Sequence, residues 1–198
     1  MVTDPNAWPN PVDQGALDWM LAIRSDALTA VMRVITTVGN TASMWVIGIA
    51  GFLYLLLLRK ERGWAVYCGV TQLFGLGLMV VLKRIFGRER PPLPPRLVVI
   101  SSESFPSGHA LVSMVVLGTF AVAAYALSGR WWPLVAAVAA SVVIGMSRVY
   151  LAAHWLLDVL AGWAIGATVV AAGLLVLRLR RGRAVLPDRR AGPPAAAG

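Results

Sequence analysis

Residues 105–127 read FPSGHALVSMVVLGTFAVAAYAL. A turn, Phe105-Pro106-Ser107-Gly108-His109, runs into an apolar block that meets no Asp, Glu, Lys or Arg before Leu127. About 20 apolar residues at 1.5 Å each cross a hydrocarbon core ~30 Å thick, so Gly108–Leu127 is predicted to span a membrane. Working outward, the same reading applies to Thr41–Leu58, Trp64–Leu82, Trp131 to about Met146, and Trp155–Leu177. The expected fold is all-α: a polytopic transmembrane helical bundle of about five spans plus an N-terminal amphipathic helix. Composition agrees. The chain is 58% hydrophobic and only 14% charged, against about 25% charged in a soluble domain. The single cysteine, Cys68, lies in an apolar block, cannot form an internal disulfide and reads as a buried thiol.

The stretches between and around the spans divide the chain further. Residues 1–15 hold Asp4, Asp13 and three prolines, lack the start of a signal peptide, and are expected to be a flexible extension. Residues 16–38 repeat apolar side chains at helical spacing (Leu17, Met20, Leu21, Leu28, Val31, Met32, Ile35) but carry Asp18, Arg24, Asp26 and Arg33. Four charges disfavour a span, so this segment is expected to be one amphipathic helix on the interface or against the bundle. Residues 83–107, with Pro91, Pro92, Pro94 and Pro95, form a loop. The expected organisation is therefore an extension over 1–15, a membrane-embedded domain over 16–177, and a disordered basic tail over 178–198 with six arginines and one aspartate.

Five spans place Arg59, Lys60, Arg62, Arg130 and the tail arginines on one side, which reads as cytoplasmic. The net charge of +9 then reflects membrane anchoring rather than nucleic-acid binding. The loop 83–107 falls on the opposite side, yet it carries five Lys or Arg residues. A bound anion would account for that violation.

The spans also gather the chain's scarcest residues at that outer end. There are two histidines, His109 at the start of one span and His154 just before another. Lys83, Arg90, Ser107, Gly108, Arg148 and Asp158 reach the same depth. Phosphoryl transfer needs positive charge around the equatorial oxygens and exact positioning. Lys83, Arg90 and Arg148 supply charge, the arginines as bidentate forks. Ser107 and Gly108 open a helix, where N–H groups and a close backbone approach suit an anion. His154 and Asp158, four residues apart, share a helix face, so the carboxylate can orient one imidazole nitrogen and leave the other as nucleophile. His154 is therefore assigned as nucleophile and His109 as general acid; spacing alone leaves the reverse open. Asp158 lies four residues into an apolar span, where a charge is costly and marks function. Taken singly, Lys83 reads as an interfacial anchor, Arg90 as a loop charge and Pro106-Ser107-Gly108 as a turn. Arg88, Glu89, Arg96 and Glu103 read as solvated loop charges. No metal or cofactor is expected.

Three motifs, Lys83 with Arg90-Pro91, Pro106-Ser107-Gly108-His109, and Ser147-Arg148 with His154 and Asp158, resemble those of the type 2 phosphatidic acid phosphatase (PAP2) family, which includes the vanadium haloperoxidases. The motifs cover about 83–162, and the span pattern extends the resemblance to 36–177. It implies metal-independent removal of phosphate from lipid phosphates or diphosphates through a phosphohistidine at His154. His109 would protonate the leaving group, and Lys83, Arg90, Ser107, Gly108 and Arg148 would hold the phosphoryl oxygens. It also implies a bacterial plasma membrane with the site on its extracytoplasmic face. Bacterial membrane members usually have six spans, one of them before the segment matching 16–38; only 15 residues precede it here.

The leading expectation is a lipid phosphatase acting on phosphatidic acid, phosphatidylglycerol phosphate or a polyprenyl diphosphate. A phosphotransferase using the same residues, and a non-catalytic lipid-phosphate-binding protein, are the alternatives. Haloperoxidase chemistry is set aside because those relatives are soluble. Arg88 and Arg96 tilt the substrate toward a diphosphate.

Overall fold

A computed structural model describes residues 9–93 and 95–181 and shows seven helices and no strand among them. They are α1 (Pro11–Ala22), α2 (Asp26–Val38), α3 (Thr41–Leu53, continued by a π-helical turn Tyr54–Leu58), α4 (Arg62–Phe86), α5 (Gly108–Ser128), α6 (Trp132–Tyr150) and α7 (Leu156–Arg181). Five stretches are long and apolar enough to cross a membrane: Thr41–Leu58, Arg62–Phe86, Gly108–Ser128, Trp132–Tyr150 and Leu156–Arg180. They match the five spans read from the sequence to within a few residues at each end.

Helix α5 is the axis. Half of its most apolar window is buried, against 17% for the span that begins at Thr41. Leu111, Val112, Val115 and Val116 of α5 pack with Met44, Met79 and Val169. Against α7 the backbones nearly touch: a Cβ on Gly162 would lie 2.9 Å from the Ser107 carbonyl oxygen, and one on Gly166 would lie 3.0 Å from that of Leu111. Between membrane helices, where lipid is as apolar as leucine, such small residues permit dispersion contact over the whole seam. Hydroxyls supply the polar contacts within the bundle. Ser113 Oγ and Ser141 Oγ are 2.8 Å apart, and Trp163 Nε1 donates to the Ser141 carbonyl at 3.2 Å. This close α5–α7 seam fixes the start of α5 against the start of α7.

The N-terminal region departs from expectation in two ways. Segment 16–38 is two helices rather than one. Ser25 caps α2, its side chain accepting from Leu28 N, and Asp26 follows in the first turn, where a helix N-terminus favours negative charge. Helix α1 starts at Pro11, inside the stretch expected to be a loose extension. Asn10 Oδ1 accepts from Asp13 N at 2.9 Å, and proline suits a first-turn position. Residues 1–8 lie outside the described residues. Similarly, α7 continues to Arg181, past the point where the tail was expected to lose structure; residues 182–198 also lie outside.

Both N-terminal helices pack over the bundle end that holds the histidines. Leu17 of α1 is buried with Ala152 and Trp155. Arg24, between α1 and α2, forks onto the Tyr150 carbonyl at 2.8 Å and that of Pro95 at 2.7 Å. Of the two placements read for segment 16–38, the structure takes the one against the bundle.

Candidate active site

Helices α4 and α6 run toward one end of the bundle, and α5 and α7 run away from it. The end of α4, the start of α5, the end of α6 and the start of α7 therefore meet. Every residue singled out from the motifs lies there, held largely by backbone carbonyls. Lys83, in the last turn of α4, donates to the Glu103 carbonyl at 2.5 Å. Arg90 spreads its guanidinium over the carbonyls of Ser102 (2.7 Å), Ala153 (2.5 Å) and Glu103 (2.9 Å). Arg148, 4% exposed near the end of α6, donates to Thr36 Oγ1 of α2. His109 contacts the same residue: its Nε2 donates to the Thr36 carbonyl at 3.2 Å. Thr36 thus ties one histidine to one arginine.

His154 is 3% exposed. Its Nε2 lies 3.1 Å from a terminal nitrogen of Arg90. Guanidinium only donates, so Nε2 accepts and keeps its lone pair on that side. The proton then sits on Nδ1, which lies 3.5 Å from Ser104 Oγ and 3.6 Å from Asp158 Oδ2. These are loose contacts, of the kind that tighten when a ligand arrives. Burial, with Arg90 and Arg148 nearby, pushes the His154 pKa down to about 3, with the Asp158 carboxylate opposing the shift. The imidazole is neutral at physiological pH. Burial also lowers Arg90, to about 10, which leaves it charged.

The start of α5 differs in detail from expectation. Ser107 N donates to the Asp158 carbonyl at 3.0 Å, so that N–H is already taken. Ser107 Oγ is buried and has no hydrogen-bond partner. A Cβ on Gly108 would lie 2.9 Å from Met79 Sδ, so Gly108 is needed here for packing as well as for an open backbone.

Arg88 corrects the sequence reading. It is not a solvated loop charge. It is 6% exposed and bridges two buried carboxylates, Asp158 and Asp13, the latter at 2.5 Å. Its two terminal nitrogens are engaged by Asp158 and Asp13, so it lends no weight to a diphosphate substrate. Glu89 and Glu103 are exposed, as read; Arg96 is half-buried. Four contributors were missed: Asp13, Thr36, Arg88 and Ser104. Only Asp13 left a trace in the sequence, as the acid at N3 of a helix opened by Asn10-Pro11.

Among the described residues, Arg88 pairs with Asp13 and Asp158, and the neutral His154 ring lies 3.6 Å from Asp158 Oδ2. Lys83, Arg90 and Arg148 converge with no acidic partner, and Ser107 Oγ and Arg148 Nε are buried without one. Buried polar atoms are rarely left so, and cations and a hydroxyl in this arrangement have the chemistry to take an anion.

Comparison with known proteins follows the same line. Residues 62–181 match the sequence model of the PAP2 superfamily. The chain is 31% identical over 164 residues to the decaprenylphosphoryl-5-phosphoribose phosphatase of Mycobacterium tuberculosis, a match covering 79% of this chain and 87% of that one. It is 41% identical over 123 residues to an undecaprenyl-diphosphatase of Sulfolobus acidocaldarius, covering 58% of this chain and 56% of that relative's length. Its fold overlays the crystal structure of a transmembrane PAP2-type phosphatidylglycerolphosphate phosphatase from Bacillus subtilis with a TM-score of 0.73 at 27% identity, covering 86% and 87% of the two chains. The chain belongs to the PAP2 superfamily, and it is an integral membrane protein of that family's helical fold.

Proposed function

We propose that this chain is a membrane lipid phosphatase that hydrolyses phosphomonoester or diphosphate groups through a phosphohistidine at His154. The observation that carries the reading is the buried His154, whose Nδ1 faces Asp158 and whose Nε2 lies 3.1 Å from Arg90, one of three cations at this end of the bundle that have no acidic partner. In the first step Nε2 attacks phosphorus and the bond from phosphorus to the leaving oxygen breaks. His109 gives that oxygen its proton. Lys83, Arg90, Arg148, Ser107 Oγ and the first-turn N–H groups of α5 take the charge on the equatorial oxygens. Asp158 faces the imidazolium that forms. In the second step His109 draws a proton from water, the water oxygen attacks phosphorus, the P–N bond breaks and inorganic phosphate leaves.

Among the described residues no group of three or more His, Cys, Asp or Glu side chains is placed to hold a metal ion. Positive charge comes instead from lysine and arginine, and turnover is expected to persist in EDTA. Similarity to a phosphatidylglycerolphosphate phosphatase, an undecaprenyl-diphosphatase and a decaprenylphosphoryl-5-phosphoribose phosphatase supports a lipid phosphate or diphosphate as the substrate class. The arginines at the opposite bundle end, Arg59, Arg62, Arg130, Arg178 and Arg180, support a cytoplasmic placement for that end of a bacterial plasma membrane, with the site outside.

The test is phosphate release in detergent, with EDTA, from phosphatidic acid, phosphatidylglycerol phosphate and a polyprenyl diphosphate. Wild type is expected to release phosphate from at least one of them, and His154→Ala from none. Equal release by the two proteins would reject the reading.

A further inference from the structure

Behind His154 lies a second charged group, of which the three motifs contain only Asp158. Asp158 Oδ2 accepts from Ser104 Oγ at 2.5 Å and from Trp155 N at 3.0 Å, while Oδ1 accepts from Arg88. The other terminal nitrogen of Arg88 donates to Asp13 Oδ2 at 2.5 Å, and Asp13 Oδ1 accepts from Leu157 N at 2.9 Å. Asp13 and Asp158 side chains are fully buried and that of Arg88 is 4% exposed. Asp13 belongs to α1, outside the 62–181 stretch that matches the superfamily.

We propose that Arg88 and Asp13 are positioning residues for His154, acting through Asp158. The inference rests on His154 being the nucleophile. A buried carboxylate without a cation takes up a proton. Protonated, Asp158 would no longer offer a carboxylate to His154 Nδ1, and Arg90 and the loose Ser104 contact would be left to orient the ring. Arg88 donates directly to Asp158 Oδ1 and so favours its carboxylate form. A guanidinium paired to Asp158 alone would cancel its charge; sharing the fork with Asp13 leaves the three side chains with one net negative charge. That charge faces Nδ1, where the imidazolium develops when Nε2 bonds to phosphorus. Asp13 also accepts from Leu157 N in the first turn of α7, so the same carboxylate fixes α1 to the helix carrying Asp158. The first helix of the chain is therefore part of the catalytic apparatus without touching the phosphate.

A positioning role predicts a split that a purely structural one does not. The full-length protein in detergent is assayed on short-chain phosphatidic acid or a polyprenyl diphosphate, with inorganic phosphate as competing ligand. Arg88→Gln is expected to lower kcat by roughly 10- to 100-fold, the scale of a small misplacement of a reacting group. Its phosphate inhibition constant is expected to stay within about twofold of wild type, because Lys83, Arg90 and Arg148 are intact. Arg88→Lys restores part of kcat, and Asp13→Asn shows a smaller fall of the same kind. Folded Arg88→Gln with wild-type kcat would overturn the inference. So would phosphate affinity falling in step with kcat, or failure of both Arg88→Gln and Asp13→Asn to fold, since each would assign the group to the scaffold. Turnover surviving in His154→Ala would instead reject the nucleophile on which the inference rests.

Discussion

The two sides of His154 treat charge in opposite ways. Behind it, Asp13, Arg88 and Asp158 are all buried, and each acid meets the guanidinium directly. In front, Lys83, Arg90 and Arg148 meet carbonyls, the hydroxyls of Ser102 and Thr36, and the imidazole itself. Burying charge is costly on either side. The rear group offsets that cost internally, so it can serve as permanent structure. The front group has no internal offset, and a multiply charged anion supplies one. A single imidazole lies between the two, with Nδ1 toward Asp158 of the rear group and Nε2 toward Arg90 of the front group; burial and the front arginines favour its neutral form, and the rear carboxylate opposes them.

The comparison breaks most severely if the front cations lose their part. Arg148→Ala is expected to lower kcat by about 10²–10³, the usual cost of removing one preorganised donor to transition-state charge. Steady-state kinetics in detergent reads it, and a loss confined to KM would mean that Arg148 only binds.

A smaller effect is expected one residue further out. Thr36→Val removes the acceptor on which Arg148 rests but keeps the carbonyl that accepts from His109. Loss of one hydrogen bond to a charged group corresponds to about tenfold in kcat/KM, with Thr36→Ser near wild type. Equal loss in the valine and serine variants would show that the hydroxyl is not what orients Arg148.

The smallest effect concerns stability. His154 titrates near 3 in the folded protein and near 6.5 in an unfolded chain. As pH falls from about 6.5 toward 3, the unfolded state takes up a proton that the folded state refuses, so stability declines across that window and the decline ends below it. Thermal melting of wild type is expected to drop more between pH 7.5 and pH 5 than that of His154→Ala. Parallel drops would contradict a neutral buried imidazole.

What the sequence made legible follows from which parts are periodic. Spans are long unbroken apolar runs, and their order alone brings Lys83, His109, Arg148 and His154 to one end. The i, i+4 spacing of His154 and Asp158 is a helix property and was readable for the same reason. Arg88 was not, because the loop 83–107 has no period. Nothing in Arg88-Glu89-Arg90 says that the first arginine turns inward and the third faces the site. Asp13 sits in a polar stretch where burial is unexpected, and it is buried only because α1 folds over the bundle. Thr36 looks like any hydroxyl on an amphipathic helix. The break at Ser25 was written in Ser25-Asp26 as a capping signal, but the apolar repeat running through it suggested one continuous helix.

The most direct test is to quench the protein in base during turnover of a lipid phosphate, which preserves phosphohistidine, and to locate the phosphoryl group by peptide mass spectrometry. His154→Ala is run beside wild type. The account predicts a phosphoryl group on the peptide containing His154 in wild type and none on that peptide in His154→Ala. A phosphoryl group on the His109 peptide, or turnover by His154→Ala, would contradict it.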